Sequence, residues 1–287
     1  MKLANATTVA EYLDTHEYPP IFYNYPWLIR PLQWFTMFIT LRNWYVLRRL
    51  REVCNRTQQG FSVLDAGCGL GDFSIHCARN YVGSRVMGLD FSESAVRLAK
   101  RISETMKLDN IVFIKEDLSY FHPKEQFDVI LCNAVLQSIQ DDERALQNLA
   151  EALKRGGELL LYTPVRYKRY IPFFDTLEGK YLDKFFYRYT NGFSHHRYSA
   201  DDVVRKVLAC GMGIERAELA YGLCGGIAFE IYSLFLILFK TLPTWLMFPV
   251  VPLYAVLVLP FQFLLMLIDY SMIHTRGNGL LLLARKK

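Results

Sequence analysis

The chemistry of this chain starts at Asp65-Ala66-Gly67-Cys68-Gly69-Leu70-Gly71-Asp72. Glycine at alternate positions lets the backbone turn sharply and admits a ligand where a β-carbon would stand. The apolar run Phe61–Leu64 reads as a buried strand entering the turn, and a helical pattern begins near Asp72. That order suits a nucleotide-type cofactor. A dinucleotide fingerprint would need its third glycine at position 72, where Asp72 stands, and its pyrophosphate would meet the carboxylates of Asp65 and Asp72. The same acids suit a ligand with positive charge and no phosphate, such as S-adenosylmethionine (SAM) with its sulfonium and ammonium. The spacing therefore favours a methyl donor over NAD.

The elements that must position this turn can be read downstream. The strand pattern Arg85–Leu89 ends at Asp90, beside Phe91, where a ribose diol can be held by paired hydrogen bonds. Asn110–Ile114 is followed by Glu116-Asp117-Leu118, an acidic pair placed to accept from an adenine amino group. Phe127–Cys132 presents Asn133, and Glu158–Thr163 is introduced by Leu153-Lys154-Arg155-Gly156-Gly157, which reads as a helix end with a glycine stop. Helical patterns at Glu93–Met106 and Asp142–Leu153 alternate with these strands. The alternation predicts an α/β, doubly wound, mostly parallel sheet whose ligands bind at the strands' carboxyl ends.

With these motifs the chain resembles the class I SAM-dependent methyltransferases, in the branch that acts on small molecules and lipids. The resemblance covers about residues 55–220 and the extreme C-terminus, and rests on the glycine turn, Asp90, Glu116-Asp117, Phe127-Asp128-Val129-Ile130 and Leu153–Gly157. It implies that Gly67, Gly69 and Gly71 line the methionine part of SAM and that Asp65 organises its amino group. Asp90 would bind the ribose and Asp117 the adenine; Cys68, Phe91, Glu116, Leu118 and Asn133 complete the expected cofactor shell. It also implies a seven-stranded sheet with an antiparallel last strand, Ile214–Tyr221 and Gly279–Arg285 pairing at its edge, and no metal.

At 287 residues the chain is long enough for one such domain with additions. A formal charge of +5 without a basic block excludes nucleic acid as the expected partner. Six scattered cysteines without a CxxC pair indicate free thiols in a cytoplasmic setting, and the N-terminus shows no signal-peptide core. The expected division is an N-terminal helical segment over 1–54, the SAM-binding domain over 55–221 and 273–287 with an acceptor lid at 165–198, and a hydrophobic insertion over 222–272.

An apolar fraction of 52% is high for a soluble enzyme, and the excess lies in three segments outside the strands. In Pro26–Val53, Arg30, Gln33, Thr36, Thr40 and Asn43 form one polar helical stripe against a broad aromatic face, with Arg42 and Arg49 falling off the stripe. This fits an interfacial helix, or a helix packed over the cofactor site, or both. Val165–Asn191 interleaves aromatic and basic residues, among them Tyr167, Phe173 and Phe174, as an acceptor lid or as plain packing would. Ile227–Ile268 is almost wholly apolar. Because the last strand must rejoin the sheet, this insertion has to return to its side of a membrane. Glu230, Lys240 and four prolines favour a re-entrant or in-plane helical hairpin over two full spans. The membrane-free alternatives are a homodimer interface or a substrate tunnel.

For the transfer itself, His195 and His196 are the candidate bases after the lid, with Ser199 as helix cap, and Tyr162 is placed to touch acceptor or cofactor. Gln137 and Tyr198 are expected in the acceptor pocket. The expected function is methylation of oxygen or carbon on a lipophilic small molecule or lipid, in lipid or secondary-metabolite biosynthesis, at the cytoplasmic face of a membrane. The alternatives are N-methylation of a phospholipid or aminolipid headgroup, and a SAM-binding membrane scaffold without turnover.

Overall fold

A computed structural model describes residues 18, 20–123, 125–166, 168–172, 174, 176–177, 196–242 and 244–287. After a short helix α1 (Pro20–Asn24) come α2 (Arg30–Ile39) and α3 (Leu41–Arg56). The core alternates β1 (Ser62–Ala66), α4 (Asp72–Asn80), β2 (Arg85–Asp90), α5 (Glu93–Thr105), β3 (Ile111–Lys115), β4 (Phe127–Asn133), α6 (Asp142–Ala152) and β5 (Leu153–Pro164). It closes with α7 (Ala200–Ala209), β6 (Met212–Ala220), the insertion, and β7 (Gly279–Lys286). The strand order is β3-β2-β1-β4-β5-β7-β6, and β7 runs antiparallel to both neighbours. The expected seven-stranded, mostly parallel sheet with an antiparallel last strand is therefore what the chain forms. Strands buried on both faces carry continuous apolar runs, and β1 is buried throughout, Asp65 included.

Two sequence expectations change. Leu153–Gly157 extends β5 instead of ending a helix: Phe127 pairs with Leu153 and Val129 with Glu158, so the strand absorbs the extra residues in an irregular register around Gly156, whose φ is +77°. Pro26–Val53 is not one helix, because Thr40 is extended (φ −103°, ψ 102°) and separates α2 from α3. The polar stripe then faces inward, with Gln33 and Asn43 buried, while Trp27, Trp34, Phe35 and Phe38 lie exposed. The boundary expected at residue 54 falls inside α3, whose Leu41, Tyr45, Val46, Leu50 and Val53 join the main core.

The insertion is a helical hairpin. Helix α8 (Leu223–Thr241) packs beside the returning limb, α9 (Thr244–Leu253) and α10 (Leu259–Ser271), joined by a π-helical stretch, Tyr254–Val258. Pro249 and Pro252 lie within α9 and Pro260 opens α10, so these three do not break the limb as expected; Pro243 lies outside the described residues. Just before Pro260, which has no N–H to donate, the Leu259 N–H reaches back five residues to the Tyr254 carbonyl. Pro249–Ser271 is 23 helical residues containing an 18-residue window of mean hydropathy 2.3, long and apolar enough to cross a membrane by length and composition. At the hairpin's base, buried Asp269 accepts from the Tyr45 hydroxyl at 2.9 Å and the Gly225 N–H at 2.8 Å, with His274 Nε2 3.2 Å away. Glu230 is fully buried too. It accepts the N–H groups of Tyr170 and Ile171 at 2.8 and 2.6 Å, so it latches the segment that follows β5 and is not a carboxylate exposed on a helix surface.

Candidate active site

The glycine turn is built by packing on two glycines and left bare at the third. Gly67, Gly69 and Gly71 take φ of +81°, +55° and +78°, a region that costs other residues roughly 1–2 kcal/mol. A β-carbon on Gly67 would lie 2.2 Å from Val135 Cγ2, and one on Gly71 2.6 Å from Phe113 Cζ; one on Gly69 would meet nothing within 4 Å. Gly69 is thus the point where backbone is open to a ligand. The Gly67 and Cys68 N–H groups donate to the Leu89 carbonyl at 2.7 and 2.9 Å, tying the turn to β2.

Three carboxylates crowd this turn. Asp90 accepts the Gly69 N–H at 2.8 Å and the Ser92 N–H at 2.9 Å. Asp65 accepts the N–H and hydroxyl of Ser74, fastening β1 to α4. Burial, opposed by the Ser74 hydrogen bonds and helped by the charges of Asp90 and Asp72, pushes Asp65 up to about 7. Burial pushes Asp72 up to about 6 against the pull of Arg30, and raises Asp90 as well. Asn133 Oδ1 is buried at the end of β4 without a hydrogen-bond donor. Crowded acids with raised pKa values, an orphaned amide oxygen and a bare glycine face fit a cofactor that brings positive charge and hydrogen-bond donors. The N-terminal segment covers this region: Gln33 Nε2 donates to the Leu70 carbonyl at 3.3 Å, and the Tyr23 hydroxyl to that of Ser94 at 3.3 Å.

The remaining expected cofactor residues are placed unevenly. Phe91 is partly exposed beside Asp90, and Glu116 and Asp117 lie exposed past β3, with Asp117 Oδ1 accepting the Ser119 N–H at 2.8 Å. Cys68 is buried, and burial first, then Asp65 and Asp90, raises its thiol well above the usual range, so it stays protonated. The Leu118 side chain belongs to the core cluster with Leu89, Ile130 and Leu146, so it is the Leu118 backbone that could face a ligand.

Beside the turn, a cavity of about 510 Å³ opens between the strand ends, the α2–α3 joint and the hairpin. Ala134, Gln137 and Tyr162 line it from the sheet, Arg42 from the joint, and Ala228, Phe229, Gln262 and Met266 from the hairpin. Cavity and turn share one segment, since Val135, next to Ala134, is the residue packed on Gly67. Ala134 and Tyr221, both in its wall, hold φ of 57° and 58°. Such strain in non-glycine residues concentrates at functional sites.

Of the expected acceptor residues, the structure brings Gln137 and Tyr162 to this cavity. Gln137 is held by the Ala134 carbonyl at 2.7 Å and the Thr163 hydroxyl at 3.3 Å. Burial raises the Tyr162 phenol well above its usual range, which makes it a hydrogen-bond donor and not a base. Phe174 is fully buried beneath Arg169, whose guanidinium lies 4.9 Å from its ring, so it supports the wall from behind. Tyr198 is placed elsewhere: its hydroxyl donates to Asp142 at 2.6 Å between α6 and α7. His196 accompanies it, Nε2 lying 3.0 Å from the Ile139 carbonyl, and both line a separate groove with Glu143 and Lys206. Ser199 caps α7 in a full capping box. Tyr167, Phe173 and His195 lie outside the described residues. Arg42, Asn278 and the hairpin's lining residues were not expected there; the one sequence signal was Arg42 falling off the polar stripe.

Residues 57–188 match the model of a family described as a methyltransferase domain. A ubiquinone biosynthesis O-methyltransferase of Coxiella burnetii is 37% identical over 117 residues, 40% of this chain and 49% of the relative. A malonyl-[acyl-carrier protein] O-methyltransferase of Ilyobacter polytropus is 30% identical over 116 residues, 40% of this chain and 42% of the relative. The chain thus spans about half the length of the curated relatives it matches. Among solved structures, phosphoethanolamine N-methyltransferase 2 of Haemonchus contortus, in complex with SAM, aligns with a TM-score of 0.62 at 18% identity, covering 98% of this chain and 60% of that one. That likeness is one of fold. Among the described residues, no group of three or more His, Cys, Asp or Glu could hold a metal.

Proposed function

We infer that this chain, which carries a class I, Rossmann-like SAM-dependent methyltransferase domain, methylates an oxygen of a lipophilic small molecule or lipid at the cytoplasmic face of a membrane. The observation that carries the reading is the position of the cavity: Ala134 in its wall is next to Val135, which packs on Gly67 of the glycine turn, and the apolar hairpin walls its other side. The relatives named above as O-methyltransferases support oxygen as the receiving atom.

SAM, when bound, supplies a methyl group already activated by its sulfonium. The chain's own contribution is then placement, which can account for most of the acceleration in an in-line displacement. In this reading Asp65, Asp90 and Asn133 hold the cofactor at the strand ends, with Gly69 giving the close approach. Gln137 and the protonated Tyr162 orient the acceptor. His196, engaged with backbone carbonyls in another groove, takes no proton.

Two separate parts of the chain support a membrane face. Trp27, Trp34, Phe35 and Phe38 are exposed on the N-terminal helices, and Val256, Leu257, Phe261, Leu264 and Ile268 on the hairpin. Phe38 stacks on Phe263 at 4.9 Å and Trp44 meets it edge-on at 5.3 Å, which joins the two surfaces. A large contiguous apolar surface on a monomer calls for a partner, and aromatic side chains at its margin suit a lipid interface. Transfer of labelled methyl from SAM into a lipid extract, followed by mass spectrometry, tests the whole reading. A labelled product extractable into organic solvent is expected; one found only in water would overturn the lipophilic acceptor.

A further inference from the structure

We propose that the acceptor is an amphiphile ending in an ionised oxygen acid, a carboxylate or an acidic phenol or enol, and that Arg42 receives that group. This rests on reading the cavity as the acceptor site. Arg42 lines it where α2 meets α3, its guanidinium 5.9 Å from the centre of the Tyr162 ring. Its Nε is buried without a hydrogen-bond partner, and among the described residues no carboxylate pairs with it. On another wall stands Asn278, 7% exposed. Its Oδ1 accepts the Lys168 N–H at 2.9 Å, and its amide faces the Tyr170 hydroxyl, whose ionisation it favours.

A buried guanidinium donor left unpaired is expensive, and one in the wall of a cavity calls for a ligand that brings acceptor oxygens. Arg169 adds a second guanidinium to the lining. The buried carboxylates of the hairpin are already committed, Asp269 to Tyr45, Gly225 and His274 and Glu230 to the N–H groups of Tyr170 and Ile171. The hairpin side offers Ala228, Phe229 and Met266, which suit a hydrocarbon tail. An ammonium headgroup would instead meet Arg42 with like charge.

The arrangement also removes the need for a base. An acceptor oxygen that arrives ionised brings its own electron pair to the methyl carbon. The O–C bond forms as the S–C bond breaks, the electrons of the broken bond stay on sulfur, and the two opposite charges cancel. No proton has to leave. That agrees with a cavity lined by Tyr162 as a donor and by no histidine among the described residues.

The test uses the full chain in phosphatidylcholine nanodiscs with S-adenosylhomocysteine bound. Four probes are titrated: palmitate, a dodecyl-substituted nitrophenol, methyl palmitate and hexadecyltrimethylammonium. At least one anion should bind about tenfold or more tighter than the ester and the cation, as a charge-assisted hydrogen bond requires. Preference for palmitate assigns a carboxylate, preference for the nitrophenol an acidic hydroxyl. Arg42→Gln should erase the preference and Arg42→Lys retain part of it, with S-adenosylhomocysteine affinity unchanged in both. Equal binding of ester and anions, preference for the cation, or an undiminished preference in Arg42→Gln would overturn the proposal. If Arg42→Gln does not fold, Asn278→Asp decides: a new negative charge in the wall must weaken anion binding and spare the ester. A wild-type protein that binds no S-adenosylhomocysteine would overturn the methyltransferase reading itself, a result distinct from loss of the anion preference alone.

Discussion

Asp65 and Asp72 sit well above the ordinary carboxylate value, at about 7 and about 6. A raised folded pKa means the native state holds protons that the unfolded chain has released, so the ligand-free protein should lose stability as pH climbs from about 4 to about 7. A cationic cofactor favours the ionised forms and must displace those protons. Affinity for SAM should therefore rise between about pH 5.5 and 7.5, by up to roughly tenfold per unit for each proton displaced, and then level off, with a smaller rise for S-adenosylhomocysteine, which keeps the ammonium and lacks the sulfonium. Calorimetry in buffers of different ionisation heat measures both quantities; a flat affinity with no proton release would place the ligand's charge away from these acids. The glycines separate fold from binding in the same region. Gly71→Ala should lower the melting temperature, since its β-carbon meets Phe113 and its φ is positive. Gly69→Ala should cost about 1–2 kcal/mol of stability yet lose most cofactor affinity, because its β-carbon points into the open face. Equal loss of stability in the two variants would contradict the distinction.

At the scale of elements, the strands were legible because each is a short apolar run ending in a polar residue: Asp65 on β1, Asp90 on β2 and Asn133 on β4. What escaped the sequence was decided by distant partners. The irregular register of Leu153–Gly157 exists only opposite Phe127–Val129, and the break at Thr40 only because α2 and α3 pack on different parts of the domain. The acceptor cavity was least legible, since Arg42 and Asn278 meet across most of the chain and no local spacing joins them. Exposure of Val256 and Leu257 at 71% and 67% on the hairpin makes an element-scale prediction. Val256→Asp with Leu257→Asp should abolish flotation with liposomes, at about 2.5–3.5 kcal/mol per buried charge, while S-adenosylhomocysteine binding persists. Undiminished flotation would move the membrane contact elsewhere.

At the scale of the whole molecule, β6 and β7 sit side by side although the long insertion lies between them in sequence. The chain leaves the sheet, forms the hairpin and comes back to the same edge, and Asp269 ties both its ends to Tyr45 of α3. Hairpin, N-terminal helices and sheet therefore share the cavity as one wall. This has a kinetic consequence. With the proposed lipophilic acceptor, the donor would enter from water and the acceptor from a two-dimensional phase, so the effective substrate concentration would be the acceptor's mole fraction in the bilayer. Adding inert lipid at constant total acceptor should slow turnover in proportion to the dilution, whereas adding water should not. A rate that follows bulk concentration instead would mean the acceptor reaches the cavity through solvent.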